Sequence, residues 1–155
     1  MTVLEERVRA LEDREEIRRL FLAYAASLDA RDMEAYAALF ARDGEWRGAT
    51  GHGRTPDGIR TMLEERLAPN PPAPGPTHRH LVANDRIELD GDRATAVSTW
   101  ILASRAEGDV PELTLLGTYR DTLVREDGRW RFASREARVD IPDRPIAPRA
   151  EGAKP

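Results

Sequence analysis

The chain has 155 residues, of which 40% are hydrophobic and 34% charged, as is typical of a single globular domain. Its net charge of -4 argues against a general nucleic-acid-binding role, because such a role needs a basic surface. The absence of cysteine excludes disulfides, thiolate metal ligands and a cysteine nucleophile. A charged N-terminus and the lack of a long apolar run predict a cytoplasmic protein that does not enter a membrane.

The first thirty residues predict an amphipathic helix, because apolar residues recur at steps of three and four. We expect this helix to break or restart near Asp13, which is followed by Glu16 in a capping pattern. Asp32 is expected to cap a second helix that ends at Asp43-Gly44.

The middle of the chain alternates between short elements and loops. Residues 45–47 suggest a short strand, and residues 48–54 a glycine-rich loop. Thr55-Pro56-Asp57 predicts the start of a third helix, which Pro69 ends. Residues 69–76 form a proline-dense loop.

From His78 the apolar period changes to two, which predicts strands. The expected strands cover residues 79–89, 93–105, 113–125 and 129–139. Asp90-Gly91-Asp92 and Glu126-Asp127-Gly128 are typical of hairpin turns. We therefore expect one domain over residues 1–141 and a loosely ordered tail over residues 142–155.

Helices followed by antiparallel strands indicate an α+β fold. A curved, four-stranded antiparallel sheet with three N-terminal helices on one face would form a cone that encloses a pocket. The hairpin order excludes a doubly wound nucleotide-binding fold, and the sequence contains no glycine-rich phosphate loop.

His80 is the leading candidate for a general base, because histidine transfers protons near neutral pH. Side chains two apart on a strand share a face, so His78, His80, Val82 and Asn84 are expected on one side of the sheet. This pattern also suits a structural or exposed histidine. His78 follows the proline loop and is expected to be exposed.

Asp29 is the proposed partner of His80. A carboxylate at the end of a helix is unfavourable with the helix dipole, which suggests that a partner compensates it. The alternative is a solvent-exposed carboxylate or one that caps the turn before Asp32.

Aromatic residues supply candidate pocket walls. Tyr24 lies about one turn before Asp29 on the apolar side of the helix. Candidate substrate-binding residues are Tyr36, Trp46, Asn84, Trp100 and Tyr119. Each aromatic residue is equally suited to filling the core.

A metal site is the alternative for the three histidines. His78 and His80 form a His-x-His pair, but His52 lies in a loop and no third ligand is fixed by the pattern. We therefore expect no metal.

Several short motifs occur in a characteristic order. They are Tyr24 and Asp29, Leu-Phe-Ala-Arg-Asp-Gly-Glu-Trp at 39–46, His-Leu-Val-Ala-Asn at 80–84, Gly-Thr-Tyr-Arg-Asp at 117–121, Arg-Glu-Asp-Gly-Arg-Trp-Arg-Phe at 125–132, and Arg135. This order resembles the SnoaL-like branch of the nuclear transport factor 2-like superfamily over residues 10 to 140. The resemblance implies the same cone-shaped fold.

The resemblance also implies an activity. Enzymes of this superfamily include scytalone and bile-acid dehydratases, polyketide cyclases and a dehydrochlorinase, and several use a His–Asp pair without cofactor or metal. By resemblance His80 is the base, Asp29 orients it, and Arg135 is a pocket arginine. The dehydrochlorinase has a lysine where Tyr24 stands, whereas the dehydratases have a tyrosine. A dehydratase, isomerase or cyclase is therefore expected, with Tyr24 or Arg135 stabilising developing charge.

The expected partner is a small, largely apolar, cyclic substrate, with no cofactor. Members of the superfamily also serve as binding or dimerisation domains, which is the alternative to an enzyme. The resemblance further implies a homodimer or homotrimer formed through the open face of the sheet.

Overall fold

Three helices and six strands make up the computed structural model, which describes residues 2–70 and 74–148. The helices are α1 (Val3–Ala30), α2 (Met33–Ala37) and α3 (Thr55–Leu67). The strands are β1 (Phe40–Gly48), β2 (Gly51–Arg54), β3 (His78–Asp90), β4 (Arg93–Arg105), β5 (Pro111–Glu126) and β6 (Arg129–Ile141).

The strands form one open sheet in the order β2-β1-β6-β5-β4-β3. Strands β3 to β6 are a run of antiparallel hairpins, whereas β1 pairs with β6 in parallel. Register shifts between β3 and β4, between β4 and β5 and between β5 and β6 mark bulges, which bend a sheet. The α+β fold is confirmed, with six strands in place of the four expected.

Helix α1 runs without interruption, so the expected break near Asp13 is wrong. The helix begins with a capping box in which Thr2 Oγ1 accepts from the Glu5 backbone N–H at 3.2 Å. Asp13 is buried and faces the sheet instead of capping a helix. Its carboxylate accepts from Trp130 Nε1 at 3.2 Å and pairs with Arg125.

The second helix is shorter than expected, because tertiary pairing overrides its helical pattern. It ends at Ala37, and the backbone from Phe40 pairs with Phe132 in β6. The predicted glycine loop also contains a strand. Gly51 opposes Gly48 in a hairpin between β1 and β2.

The helices pack on the inner face of the sheet, where Ile17, Phe21, Tyr24, Phe40 and Phe132 join one buried core. At the chain end, Ala147 donates its backbone N–H to Gly48 O at 3.0 Å. Residues 149–155 of the predicted tail lie outside the described residues. Within residues 2–70 and 74–148, no helix is long and apolar enough to cross a membrane.

Candidate active site

A cavity of about 380 Å³ lies between the helices and the inner face of the sheet. This volume is in the range of small-molecule sites. Five of the aromatic side chains singled out in the sequence line it, and all five are buried: Tyr24, Tyr36, Trp46, Trp100 and Tyr119. Leucines and a valine complete a largely apolar wall.

His80 and Asp29 meet at the edge of this cavity. His80 Nδ1 lies 2.6 Å from Asp29 Oδ1, and the His80 backbone N–H also donates to the carboxylate at 3.1 and 3.2 Å. The last turn of α1 supplies the carboxylate, and the third residue of β3 supplies the imidazole. The two N–H groups offset the unfavourable position of an acid at a helix C-terminus.

The hydrogen bond assigns different tasks to the two imidazole nitrogens. A carboxylate on Nδ1 favours the tautomer that carries its proton there. Nε2 is then the nitrogen with a free lone pair, and the His80 ring is part of the cavity wall. The arrangement is suited to accepting a proton from a molecule in the cavity.

His78 is also part of the cavity wall and is not fully exposed as expected. Its Nε2 lies 3.8 Å from Asp29 Oδ1, and its Nδ1 lies 3.0 Å from Thr77 Oγ1. Burial lowers the pKa of His78 below its usual value, even though Asp29 opposes this. The neutral form is therefore favoured near pH 7.

Within the part of the chain that the structure describes, Asp29, His78 and His80 form a group that could hold a metal ion, since their ligand atoms lie within 4.8 Å of one another. His52, the third histidine of the metal-site alternative, lies elsewhere. His52 Nε2 is 2.8 Å from Glu45 Oε1 on the β1–β2 hairpin. The contact between Asp29 Oδ1 and His80 Nδ1, at 2.6 Å, has the length of a hydrogen bond between the two groups.

Three tyrosines pack against one another at the base of the cavity. Trp46 Nε1 donates to the Tyr24 hydroxyl at 2.9 Å, and the Tyr24 ring centroid lies 4.7 Å from Tyr36 and 5.5 Å from Tyr119. Burial raises the pKa of Tyr36 and of Tyr119 well above the usual value. Both hydroxyls therefore stay protonated near neutral pH.

Arg135 is not part of the cavity wall, which corrects its expected position. It is fully buried and donates to both Asp121 oxygens, at 2.8 and 2.7 Å. Its guanidinium lies 4.2 Å from the Tyr24 ring centroid and 4.1 Å from that of Tyr119. Burial alone would lower the pKa of Arg135. The Asp121 carboxylate raises this pKa by a larger amount, so the net shift is upward. Arg135 thus packs against the Tyr24 and Tyr119 rings without lining the cavity.

Asn84, expected to contact substrate, lies outside the cavity wall. It occupies the bulge between Ala83 and Arg86, with a φ of 54°, and its side chain is exposed. The bulge interrupts the alternation that would have carried Asn84 to the same face as His80.

Three arginines that no sequence pattern indicated also line the cavity: Arg31, Arg66 and Arg144. They come from the end of α1, the last turn of α3 and the segment after β6. Nearly every basic residue in the chain is arginine, so no local pattern separates these three from the rest.

Residues 9–136 match a family model described as a SnoaL-like domain. No curated protein is similar enough in sequence to count as a match.

Solved structures share the fold. An NTF2-like protein with a cystatin-like fold from Novosphingobium aromaticivorans is 26% identical, with a TM-score of 0.74 over 88% of this chain and 87% of that chain. ActVI-ORFA from Streptomyces coelicolor is 27% identical, with a TM-score of 0.71 over 82% and 94%. A candidate scytalone dehydratase from N. aromaticivorans is 24% identical, with a TM-score of 0.68 over 94% of each chain, and shows the fold alone.

Proposed function

Since the chain belongs to the SnoaL-like domain family, we propose that it is a cofactor-independent acid–base enzyme that uses His80 and Asp29. The reaction would be a dehydration or other elimination, an isomerisation or a cyclisation. The substrate would be small, largely apolar and cyclic. The contact of 2.6 Å between Asp29 and His80, at the wall of a cavity, is the observation that carries this proposal.

In the first step, His80 Nε2 removes a proton from a carbon next to a substrate carbonyl. The electron pair of the C–H bond forms an enolate, and Asp29 stabilises the resulting imidazolium. General-base help of this kind is worth roughly 10²–10⁴-fold in rate.

In the second step, the proton on His80 returns to the substrate. Given to a leaving hydroxyl group, it completes a dehydration with release of water. Given to a different carbon, it completes an isomerisation. A tyrosine hydroxyl of the cavity wall, such as that of Tyr119, would stabilise the enolate oxygen, because burial keeps it protonated.

The open cavity favours an enzyme over a purely structural dimerisation domain. Such a domain would have its pocket filled by Trp100 and Tyr119, with His80 turned outward. Instead, both aromatic side chains border about 380 Å³ of space, and the His80 side chain is only 13% exposed.

A test that requires no knowledge of the natural substrate is proton exchange at the α-carbon of a ring ketone. We expect the protein to accelerate hydrogen–deuterium exchange of 2-tetralone in D₂O, as followed by NMR. His80→Asn is expected to reduce this acceleration by about 10²-fold or more, and Asp29→Asn to reduce it less.

The matched control is His52→Gln, because His52 also pairs with a carboxylate but does not line the cavity. It should exchange at the wild-type rate. Exchange by His80→Asn at the wild-type rate would overturn the proposal. So would a wild-type protein that binds 2-tetralone by calorimetry without accelerating exchange.

A further inference from the structure

We infer that the substrate carries an anionic group and that Arg31, Arg66 and Arg144 bind it at the edge of the cavity. This inference rests on the proposed function and narrows its substrate class to ring compounds with a carboxylate or phosphate. The ring would occupy the aromatic part of the cavity beside His80, and the anion would face the three guanidinium groups.

The three arginines come from separate parts of the chain. Arg31 is the left-handed C-cap of α1, with a φ of 55°, and its neighbour two positions earlier is Asp29. Arg66 lies in the last turn of α3, and Arg144 forms an isolated bridge with Val139. The fold thus brings three cations from distant segments to one cavity.

Acidic groups of the described residues do not pair with these cations. Arg31 donates to a neutral acceptor, the Asn70 carbonyl oxygen. Among the residues that the structure describes, Arg66 and Arg144 make no salt bridge. Exposed arginines elsewhere often have a partner, as Arg18 does with Asp85 at 3.0 Å.

The lining of the cavity contains no aspartate or glutamate within the described ranges. Asp29 lies behind the histidine and is bonded to His80. A single arginine without an acidic partner is common by itself. Three of them around one apolar cavity, in a chain of net charge -4, form a local positive field that favours an anion.

Guanidinium groups suit oxyanions, because their planar donors match the two oxygens of a carboxylate or phosphate. The deeper walls suit an apolar ring, since they include Trp46, Trp100 and Leu102. A ligand with both parts would therefore be held in one orientation, with its ring next to the His80 imidazole.

The experiment compares two ligands that differ only in charge, naphthalene-2-carboxylate and naphthalene-2-carboxamide. We expect calorimetry at low salt to give about 10-fold tighter binding of the carboxylate, the effect of one or two charged hydrogen bonds. In a protein carrying Arg31→Gln, Arg66→Gln and Arg144→Gln, this preference should vanish while the carboxamide affinity stays unchanged.

The matched control is Arg60→Gln. Arg60 lies on the same helix as Arg66, does not line the cavity and is near Asp57 and Glu64. The Arg60→Gln protein should keep the preference for the carboxylate over the carboxamide. Arg66→Glu alone should weaken carboxylate binding further than Arg66→Gln does. Tighter binding of 2-naphthyl phosphate than of the carboxylate would identify a phosphate as the anion.

Equal affinity of the wild-type protein for both naphthalenes would overturn the inference. So would a preference that survives in the triple variant. His80→Asn separates this test from that of the proposed function, because it should lose exchange activity and keep the preference for the carboxylate.

Discussion

Tyr24 joins the cavity to the buried core through a single side chain. Its hydroxyl accepts the Trp46 indole N–H at 2.9 Å, and its ring lies on the buried Arg135 guanidinium. The hydroxyl of neighbouring Tyr36 is also buried but makes no hydrogen bond within the described residues. Two adjacent tyrosines thus differ in what their hydroxyl groups contribute to stability.

We expect Tyr24→Phe to lower the free energy of unfolding by about 1–3 kcal/mol, because the buried Trp46 N–H loses its acceptor. Tyr36→Phe should change it by less than about 1 kcal/mol, since no hydrogen bond is lost. Urea unfolding followed by circular dichroism measures both. Equal losses in the two variants would contradict this assignment.

Local patterns in the sequence predict His80 on a strand and Asp29 at the end of a helix, whereas the pairing of the two was implied by the family resemblance. The sequence does not place Arg135 or Asn84. Arg135 is held behind the tyrosines by Asp121 on a neighbouring strand, and Asn84 is displaced by a bulge. Both effects depend on strand pairing, which no window of sequence reports.

At the scale of elements, turns were predictable and tertiary pairing was not. The signal at Asp90-Gly91-Asp92 is confirmed by β3 ending at Asp90 and β4 beginning at Arg93, with a φ of 58° at Gly91. Phe40 continued a helical spacing and nevertheless begins β1, because it pairs with β6.

Strands β4, β5 and β6 approach closely around Gly117. A Cβ atom there would lie 2.2 Å from Arg138 O and 2.3 Å from the Trp100 indole ring. Trp100 Nε1 also donates to Arg138 O at 3.1 Å, so the ring is fixed on both sides. The lack of a side chain at Gly117 thus leaves room for the Trp100 ring, which forms part of the cavity wall.

We expect Gly117→Ala to destabilise the protein by about 1–3 kcal/mol through overpacking, and to weaken naphthalene binding by displacing Trp100. The control is Gly58→Ala in α3, where the nearest atom to a new Cβ is Thr55 Oγ1 at 3.6 Å. That change should stabilise the protein by roughly 0.5–1 kcal/mol. Thermal unfolding compares them, and a neutral Gly117→Ala would refute the argument.

At the scale of the whole molecule, the outer face of the sheet carries an apolar row. Leu81, Ile101, Leu116 and Ile141 are paired side by side across β3, β4, β5 and β6. Leu81 is 49% exposed and Ile141 61%. Such a row favours association between sheets, as expected for a homodimer or homotrimer.

We expect sedimentation velocity to give a dimer or trimer for the wild-type chain and a monomer for Leu81→Arg combined with Ile141→Arg. The control is Leu22→Arg, which alters an equally exposed leucine on α1. If the double variant keeps the wild-type mass, the outer sheet face is not the interface.

The parallel pairing of β1 with β6 has a consequence for the order of folding. The hairpins formed by β3 to β6 close short loops. In contrast, most of the chain lies between β1 and its partner β6. Closing a long loop costs more conformational entropy before any contact is gained. Because β1 carries Trp46, a partly folded chain that contains only the hairpins would have no complete binding cavity, and we expect this pocket to form late in folding.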